Sequence, residues 1–305
     1  MRFTLRQLEY FVAAGEAGSV TLAAARMSIS PPSISAAIAY LEADLGIQLF
    51  IRHHARGLSL TPVGEDFLRN AKALLHHAEE LQTIASELSN DVAGTLAVGC
   101  MVTLYPHVVP ALVHAFRARH PQAQVRVVAA DQASLFGRLR RGEIAVAITY
   151  DLEIPDDLRF EPLARLPPYA FFSVDHRFAN RKSLQLAELA DEPLIMLDLP
   201  VSRDYFMSLF LQSGLRPRIE AEFEQLELIR SLVARGGCYG LANVRPKSHA
   251  SLDGGLLSYV SLDGEPTALT AGIATLGSYR QTRTSVAFQE LCRQLVENGK
   301  LPGAE

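Results

Sequence analysis

The side chains best placed for binding chemistry stand where predicted strands end, in the last two thirds of the chain. Apolar strands such as GTLAVGC, AQVRVVAA and IAVAITY alternate there with helical segments, which predicts parallel sheets with helical crossovers. The carboxyl ends of parallel strands meet at one edge of a sheet, where ligands usually bind. The strand-end residues that predict a ligand site are Met101, Val102, Thr103, Asp131, Gln132, Asp151, Ser202, Arg203 and Asn243.

The charges of this predicted site favour a small ligand that carries both signs of charge. Thr103 and Ser202 stand near the starts of predicted helices, where unpaired N–H groups favour an anion. Asp131, Asp151 and Asp198 favour a cationic group, so we expect a zwitterion or an amine-bearing acid. The alternative is that each residue is only a helix cap or a solvated loop side chain.

No catalytic pattern competes with this interpretation. The sequence contains no GxSxG, HExxH or Walker motif. Gly236, Gly237 and Gly240 do not form GxGxxG, and they precede a predicted strand instead of following one. We therefore expect no enzyme activity, no cofactor and no metal site.

The three cysteines suggest no disulfide framework. Cys100, Cys238 and Cys292 are far apart and form no CxxC or zinc-type cluster, which is typical of buried, reduced thiols. Cys100 closes a predicted strand, so a redox-sensing thiol is the alternative interpretation.

The first 60 residues carry the punctuation of a helix-turn-helix. A first helix ends near residues 15 to 18, Ser19 provides an N-cap for a second helix, and after a tight turn Ser30 provides one for a third. Pro31 and Pro32 lie in the first turn of that third helix, where proline is tolerated. So short a turn predicts a motif whose third helix enters a DNA major groove. A three-helix bundle with no partner is the alternative.

A heptad repeat follows on one long predicted helix, which begins at Thr61-Pro62 and continues to about Asn90. Apolar residues alternate at spacings of four and three, which predicts that two copies of the chain pair as a coiled coil. Packing in a groove of the same chain is the alternative. The seam residues are Phe67, Ala71, Leu74, Ala78, Leu81, Ala85 and Leu88.

The stretch from Gly18 to Leu68 resembles the N-terminal signature of the LysR-type transcriptional regulators. Gly-Ser, a pair of alanines in the second helix, Ser-x-Pro, L-E-x-x-L-G, L-F-x-R and L-T-x-x-G occur in that order. The resemblance implies a winged helix-turn-helix DNA-binding domain over residues 1–60. A dimerisation helix over 61–90 and an α/β effector-binding domain over 91–305 would follow.

The resemblance also implies that the effector domain is bilobed, like the periplasmic solute-binding proteins. Lobe one is expected at about 91–163 and 268–305, and lobe two at about 164–267. The chain would cross between the lobes at Leu166-Pro167-Pro168 and return at Gly264-Glu265-Pro266. The predicted effector site then lies between the lobes.

Two departures from the family pattern bear on DNA recognition. Most members have Gln directly after the capping serine and Arg six positions after it, where this chain has Pro31 and Ala36. Gln and Arg make strong bidentate base contacts, so we expect this chain to rely on hydroxyls, thymine methyl contacts and DNA shape. The residues expected at the DNA, including a two-stranded wing at residues 49–60, are Ser30, Pro31, Pro32, Ser33, Ala36, Ala37, Tyr40, Arg52, His53 and Arg56.

Composition is compatible with a soluble, cytoplasmic protein. The chain has 305 residues, of which 49% are hydrophobic, and the charges at Arg2, Arg6 and Glu9 leave no secretory signal or membrane span. Residues 1 to 60 hold five arginines against four acidic residues, which is no basic footprint. Phosphate contacts must then come from a few arginines, hydroxyls and helix N-termini repeated across a dimer.

The expected protein is a transcriptional regulator whose partners are double-stranded DNA, a second copy bound through residues 62–90, and a small-molecule effector. We expect two dimers to form a tetramer whose arrangement changes with effector binding and alters the bend of the DNA. RNA polymerase is a further candidate partner. The rivals are a solute-binding protein with an appended helical domain and an enzyme built on the α/β lobes. The heptad helix and the missing signal peptide argue against the first, and the missing catalytic residues argue against the second.

Overall fold

The computed structural model describes residues 3–53, 57–86, 92–277, 281–299 and 301. The chain forms two compact units. The first comprises Met1–Asp91 with Arg140–Glu143, and the second comprises Val92–Leu139 with Ile144–Glu305.

Three helices open the first unit, as predicted: α1 (Leu5–Ala17), α2 (Val20–Met27) and α3 (Pro31–Leu45). The hydroxyl of Thr4 accepts a hydrogen bond from the N–H of Gln7 at the start of α1. The Ser19 hydroxyl caps α2 in the same way. Local capping signals thus set where these helices begin.

The predicted wing is confirmed as an antiparallel pair, β1 (Phe50–His53) and β2 (Gly57–Leu60). Gly57 has φ +91°, and a Cβ there would lie 2.5 Å from the carbonyl oxygen of Gly18. Since Leu58 N donates to that same oxygen at 2.8 Å, only glycine allows the wing to approach the end of α1 so closely. The turn residues His54, Ala55 and Arg56 lie outside the described residues.

The long helix α4 (Pro62–Ser86) begins where the sequence predicts. The Thr61 hydroxyl accepts from Gly64 N at 2.9 Å and donates to Gln48 O at 2.8 Å. A side chain at Gly64 would overlap the Leu49 carbonyl, which gives a physical reason for the L-T-x-x-G pattern. The predicted continuation to Asn90, including Leu88, lies outside the described residues.

The core of the first unit uses the beginning of the predicted seam. The Phe11 ring lies 5.2 Å from the rings of both Phe50 and Phe67, and Ala71 is buried in the same core. The interpretation of Phe67 and Ala71 as pairing residues is therefore corrected, because the helix turns these positions toward α1 and the wing. Leu74, one turn further on, is 38% exposed.

The second unit contains eleven strands and six helices within the part that the structure describes. The strands are β3 (Gly94–Met101), β4 (Ala123–Ala130), β5 (Val146–Tyr150), β6 (Leu158–Leu166), β7 (Tyr169–Ser173), β8 (Ser183–Leu184), β9 (Pro193–Leu197), β10 (Arg218–Phe223), β11 (Tyr239–Ala242), β12 (Leu257–Leu262) and β13 (Leu269–Leu276). The helices are α5 (Tyr105–Arg119), α6 (Gln132–Arg140), α7 (Leu186–Leu189), α8 (Pro200–Gln212), α9 (Leu226–Ala234) and α10 (Arg283–Glu297).

These strands form two sheets, one in each predicted lobe. The order is β4-β3-β5-β13-β6 in lobe one and β10-β9-β11-β7-β12-β8 in lobe two. The predicted parallel pairing is confirmed for β4-β3-β5 and for β10-β9-β11, but each sheet also contains antiparallel pairs. β13 runs antiparallel to β5 and β6, and β7 runs antiparallel to β11 and β12. Parallel neighbours need a helical crossover, whereas β7 and β13 enter their sheets directly from the other lobe.

The two crossings between the lobes lie at the predicted proline-containing segments. β6 ends at Leu166 in the sheet of lobe one and β7 begins at Tyr169 in that of lobe two, while the return occupies residues 263–268. Pairing in the sheet of lobe one extends to Leu166, because Ala164–Leu166 pair with Leu269–Ala271 of β13.

Candidate functional site

The candidate DNA-reading surface is the start of α3. Ser30, Pro31, Pro32, Ser33 and Ala36 are all exposed. Ser30 occupies the N-cap position, but its hydroxyl pairs with the Ser33 hydroxyl at 2.8 Å and not with a backbone N–H. The predicted capping role of the Ser30 side chain is thus corrected, and the two hydroxyls form a joint polar group at the helix start.

Two further α3 positions differ in accessibility. Tyr40 is exposed, as a DNA contact requires, whereas Ala37 is only 7% exposed and lies on the inner face of the helix with Ile34 and Ile38. Ala37 is therefore removed from the predicted contacts, because its methyl group packs in the core.

Within the described residues, the wing has one cationic side chain, that of Arg52. Arg52 is exposed on β1 opposite Leu58. His53 ends the strand, but its side chain and the whole of Arg56 fall outside the description. Arg52 is therefore the wing residue whose role is best defined for a test.

The second unit contains a narrow cavity at the predicted interlobe site. The cavity volume is about 10 Å³, which is close to the space that one water molecule needs. Lobe one contributes residues at the ends of β3 and β5 and at the start of β13, and lobe two contributes residues from β9, α8, α9 and β11. The lining residues are Thr103, Tyr150, Leu197, Ser202, Phe206, Leu226, Ala242, Asn243, Val244 and Leu269.

The polar groups of this wall are neutral. The Thr103 hydroxyl lies 2.9 Å from the Tyr150 hydroxyl, and burial raises the pKa of Tyr150, which keeps the phenol protonated. Ser202 lines the same wall and is only 5% exposed. Its hydroxyl can donate a hydrogen bond to a polar group in the cavity.

Asn243 is the third predicted residue in the wall. Its side-chain Nδ2 donates to the backbone oxygen of Leu166 and to the hydroxyl of Tyr205, both at 3.0 Å. Tyr205 was missed by the sequence analysis. Its position three residues after Ser202 on α8 was an available signal, since residues at this spacing share a helix face.

Six predicted site residues do not line the cavity. Asp131 accepts hydrogen bonds from the N–H and hydroxyl of Ser134 and caps α6, and Asp151 accepts from Thr270 N at 2.7 Å. Arg203 forms an ion pair with Glu222 at 2.9 Å. The others are Met101, Val102 and Gln132, of which Met101 and Gln132 are buried. These side chains have local structural partners or lie elsewhere, and the cavity wall contains no carboxylate.

All three cysteines are buried and free. Burial raises the pKa of Cys100 and Cys238, and raises that of Cys292 to about 12. The thiolate is the reactive form of cysteine, so a raised pKa makes these thiols unreactive at neutral pH. Their role in the structure is to pack in the core. No group of His, Cys, Asp and Glu residues suited to a metal ion occurs within the described ranges. Nor is any helix there both long enough and apolar enough to cross a membrane.

We expect the native protein to resist thiol reagents at neutral pH. Ellman's reagent should react slowly with the folded chain and should titrate all three thiols after unfolding in guanidinium chloride. Fast reaction of one thiol in the native state would restore the redox-sensing interpretation of Cys100.

Two family models match the chain. The model described as "Bacterial regulatory helix-turn-helix protein, lysR family" matches residues 5–65, and that of the LysR substrate binding domain matches residues 89–297. The chain is also 30% identical to the HTH-type transcriptional regulator BsdA of Bacillus subtilis, over 76% of this chain and 81% of the relative.

Solved structures agree with these matches. HinK, a LysR family transcriptional regulator from Pseudomonas aeruginosa, is similar with 35% identity and a TM-score of 0.64, over 96% of this chain and 98% of HinK. The fold is also that of full-length CbnR in complex with its target DNA, at 23% identity and a TM-score of 0.75, over 96% of this chain and 99% of that one.

Proposed function

Because the chain belongs to the LysR family of DNA-binding transcriptional regulators, with a helix-turn-helix domain and an effector-binding domain, we propose that it acts as a symmetric dimer. Each α4 contributes residues from Leu74 onward to the pairing seam, so that residues 61–90 join a DNA-binding domain at 1–60 to an effector domain at 91–305. The exposed leucine on α4 carries this proposal, since exposed apolar side chains at heptad spacing need a partner. We propose the cytoplasm as its location, because its proposed partner is chromosomal DNA.

At the DNA, α3 enters the major groove and the wing contacts the phosphate backbone. The exposed Ser30 and Ser33 hydroxyls and the Ala36 methyl support reading by hydroxyls and thymine contacts. The DNA-binding domain has few cationic side chains, so each phosphate contact contributes a large part of the binding free energy.

Arg52→Ala is expected to weaken binding to all DNA sequences alike. Each DNA-binding domain loses one phosphate contact. The slope of log affinity against log salt concentration should therefore become shallower by about one unit per domain. Fluorescence anisotropy at several salt concentrations measures this slope, and Arg56→Ala should act similarly. Arg181→Ala is the matched control, because Arg181 lies in lobe two and pairs with Glu188. A slope unchanged from that of the control would remove the wing from the interface.

We propose that the effector is a small monocarboxylic acid with an apolar body, which binds in the cavity when the lobes move apart and widen it. Ser202 lies in the first turn of α8, where its hydroxyl and the free amides attract a carboxylate. Leu197, Phe206 and Leu226 provide the apolar wall. This replaces the predicted zwitterion, since an ammonium group would find no carboxylate in the wall.

Ser202→Ala is expected to weaken effector binding by about 1 kcal/mol, or about fivefold, through one lost hydrogen bond. Compounds that raise the Tm of the wild type would be titrated by calorimetry, with Ser208→Ala as control because the Ser208 hydroxyl bonds the Tyr205 carbonyl of the same helix. Equal affinities in the two variants would take Ser202 out of the site. Stabilisation by amino acids but not by monocarboxylates would restore the zwitterion.

The dimer is proposed to pair further into a tetramer. Effector binding would favour one arrangement of the dimers, change the bend imposed on the DNA, and alter contact with RNA polymerase. Light scattering with and without the stabilising compounds would measure the mass of the assembly.

A further inference from the structure

One hydrogen-bonded pair of side chains in lobe two reaches both crossings between the lobes. Asn243 donates to the carbonyl of Leu166, at the end of the first crossing strand, and to the Tyr205 hydroxyl, each at 3.0 Å. The Tyr205 hydroxyl donates in turn to the carbonyl of Thr267, in the return crossing, at 2.7 Å. The pair therefore links two segments that are about a hundred residues apart in the sequence.

This pair is buried and its donors are fully used. Asn243 is 8% and Tyr205 is 6% exposed. Both hydrogens of the Asn243 amide and the single hydrogen of the Tyr205 hydroxyl have acceptors. Burial raises the pKa of Tyr205 to about 12, so the donor proton is retained at neutral pH. Each bond thus depends on its neighbour, and losing one leaves a buried polar group without a partner.

The return crossing is also held from lobe one. The Asp151 carboxylate accepts from Thr270 N at 2.7 Å, and Asp151 N donates to Thr270 O at 3.0 Å. Thr267 is therefore tied to lobe two and Thr270 to lobe one. The short backbone between them must absorb any change in the angle between the lobes.

Asn243 also forms part of the cavity wall. We propose that Asn243 and Tyr205 are the positioning residues that set the angle between the lobes and pass a change at the cavity wall to both crossings. This inference rests on the proposed ligand role of the cavity. A ligand group that accepts hydrogen bonds from Asn243 Nδ2 would break the bonds from Asn243 to the Leu166 carbonyl and the Tyr205 hydroxyl. Both crossings would then be loosened together.

Hydrogen exchange of the full-length, ligand-free chain tests the pair. In Tyr205→Phe, which keeps the ring but removes two hydrogen bonds, we expect amides in peptides spanning residues 163–170 and 263–270 to exchange at least about fivefold faster. Tyr259→Phe is the matched control. Its hydroxyl also makes two hydrogen bonds, to Arg230 and to the carbonyl of Ser248, and the variant keeps the ring that packs against Tyr169.

Asn243→Ala is the second variant and should accelerate the same two peptides. Because the two residues act as one unit, the double variant should exchange no faster than Asn243→Ala alone. The proposal would be overturned if each variant accelerated amide exchange in only one of the two peptides, or if the effects of the two substitutions on the exchange rates were additive. Equal acceleration of exchange in Tyr259→Phe would also overturn it. The experiment uses neither DNA nor effector, so its failure is distinguishable from failure of the proposed function, which the DNA and effector titrations test.

Discussion

Replacing Leu74 and Leu81 together by aspartate is expected to give monomers that no longer bind DNA but still bind effector. Both leucines occupy core positions of the heptad on α4, and Leu74 is 38% exposed in the single chain. Pairing would bury two carboxylates per chain in an apolar seam, at a cost of several kcal/mol that the pairing cannot offset. A monomer has one DNA-binding domain, so it loses most of its affinity for an operator that contains two half-sites.

Light scattering and a mobility-shift titration measure the two losses. Asn70→Asp with Gln82→Asp is the control, because it adds the same charge to α4 outside the seam positions. A Leu74/Leu81 variant with dimer mass and wild-type affinity would contradict the coiled-coil pairing.

Phe11→Ala is expected to unfold the first unit and abolish DNA binding while the second unit stays folded. Phe11 is fully buried between the rings of Phe50 and Phe67, and so it joins α1, the wing and α4. Loss of a buried phenylalanine costs about 3–5 kcal/mol, which is a large part of the stability of a small domain.

Phe116→Ala provides the reciprocal variant. Phe116 is fully buried in the second unit, with its ring 5.5 Å from that of Phe288. We expect this substitution to lower the Tm of the second unit, measured by calorimetry with a stabilising compound bound. The first unit should stay folded. Joint loss of both units in either variant would show that they do not fold separately.

Much of the first unit could be predicted from sequence because its signals are local. Ser19 and Thr61 cap their helices as the sequence indicates, and Gly57 and Gly64 occupy positions where another backbone approaches closely. The extent of the seam could not be read in this way. A heptad pattern does not say which turn of a helix packs on its own chain, and Phe67 and Ala71 belong to the core of the first unit.

The cavity was predicted only in part. Strand ends gave Thr103, Ser202 and Asn243, because these follow from the order of strands and helices. Asp131 and Asp151 were misread, since a carboxylate at a strand end satisfies a nearby backbone N–H as readily as a ligand. Tyr150 ends β5 and belongs to the same strand-end pattern. The hydrogen bonds that link Tyr205 to both crossings depend on tertiary packing, which no local pattern encodes.

The most direct test of regulation is a binding titration with labelled duplex DNA from the region upstream of the protein's own gene. We expect the dimer to prefer this DNA to unrelated duplex of equal length by about 10³-fold or more at physiological salt. We also expect a carboxylate that raises the Tm of the wild type to shift this affinity, and the Ser202→Ala protein to need about fivefold more of it. Equal affinity for the two duplexes, unchanged by any stabilising compound, would contradict the assignment of this chain as an effector-controlled DNA-binding regulator.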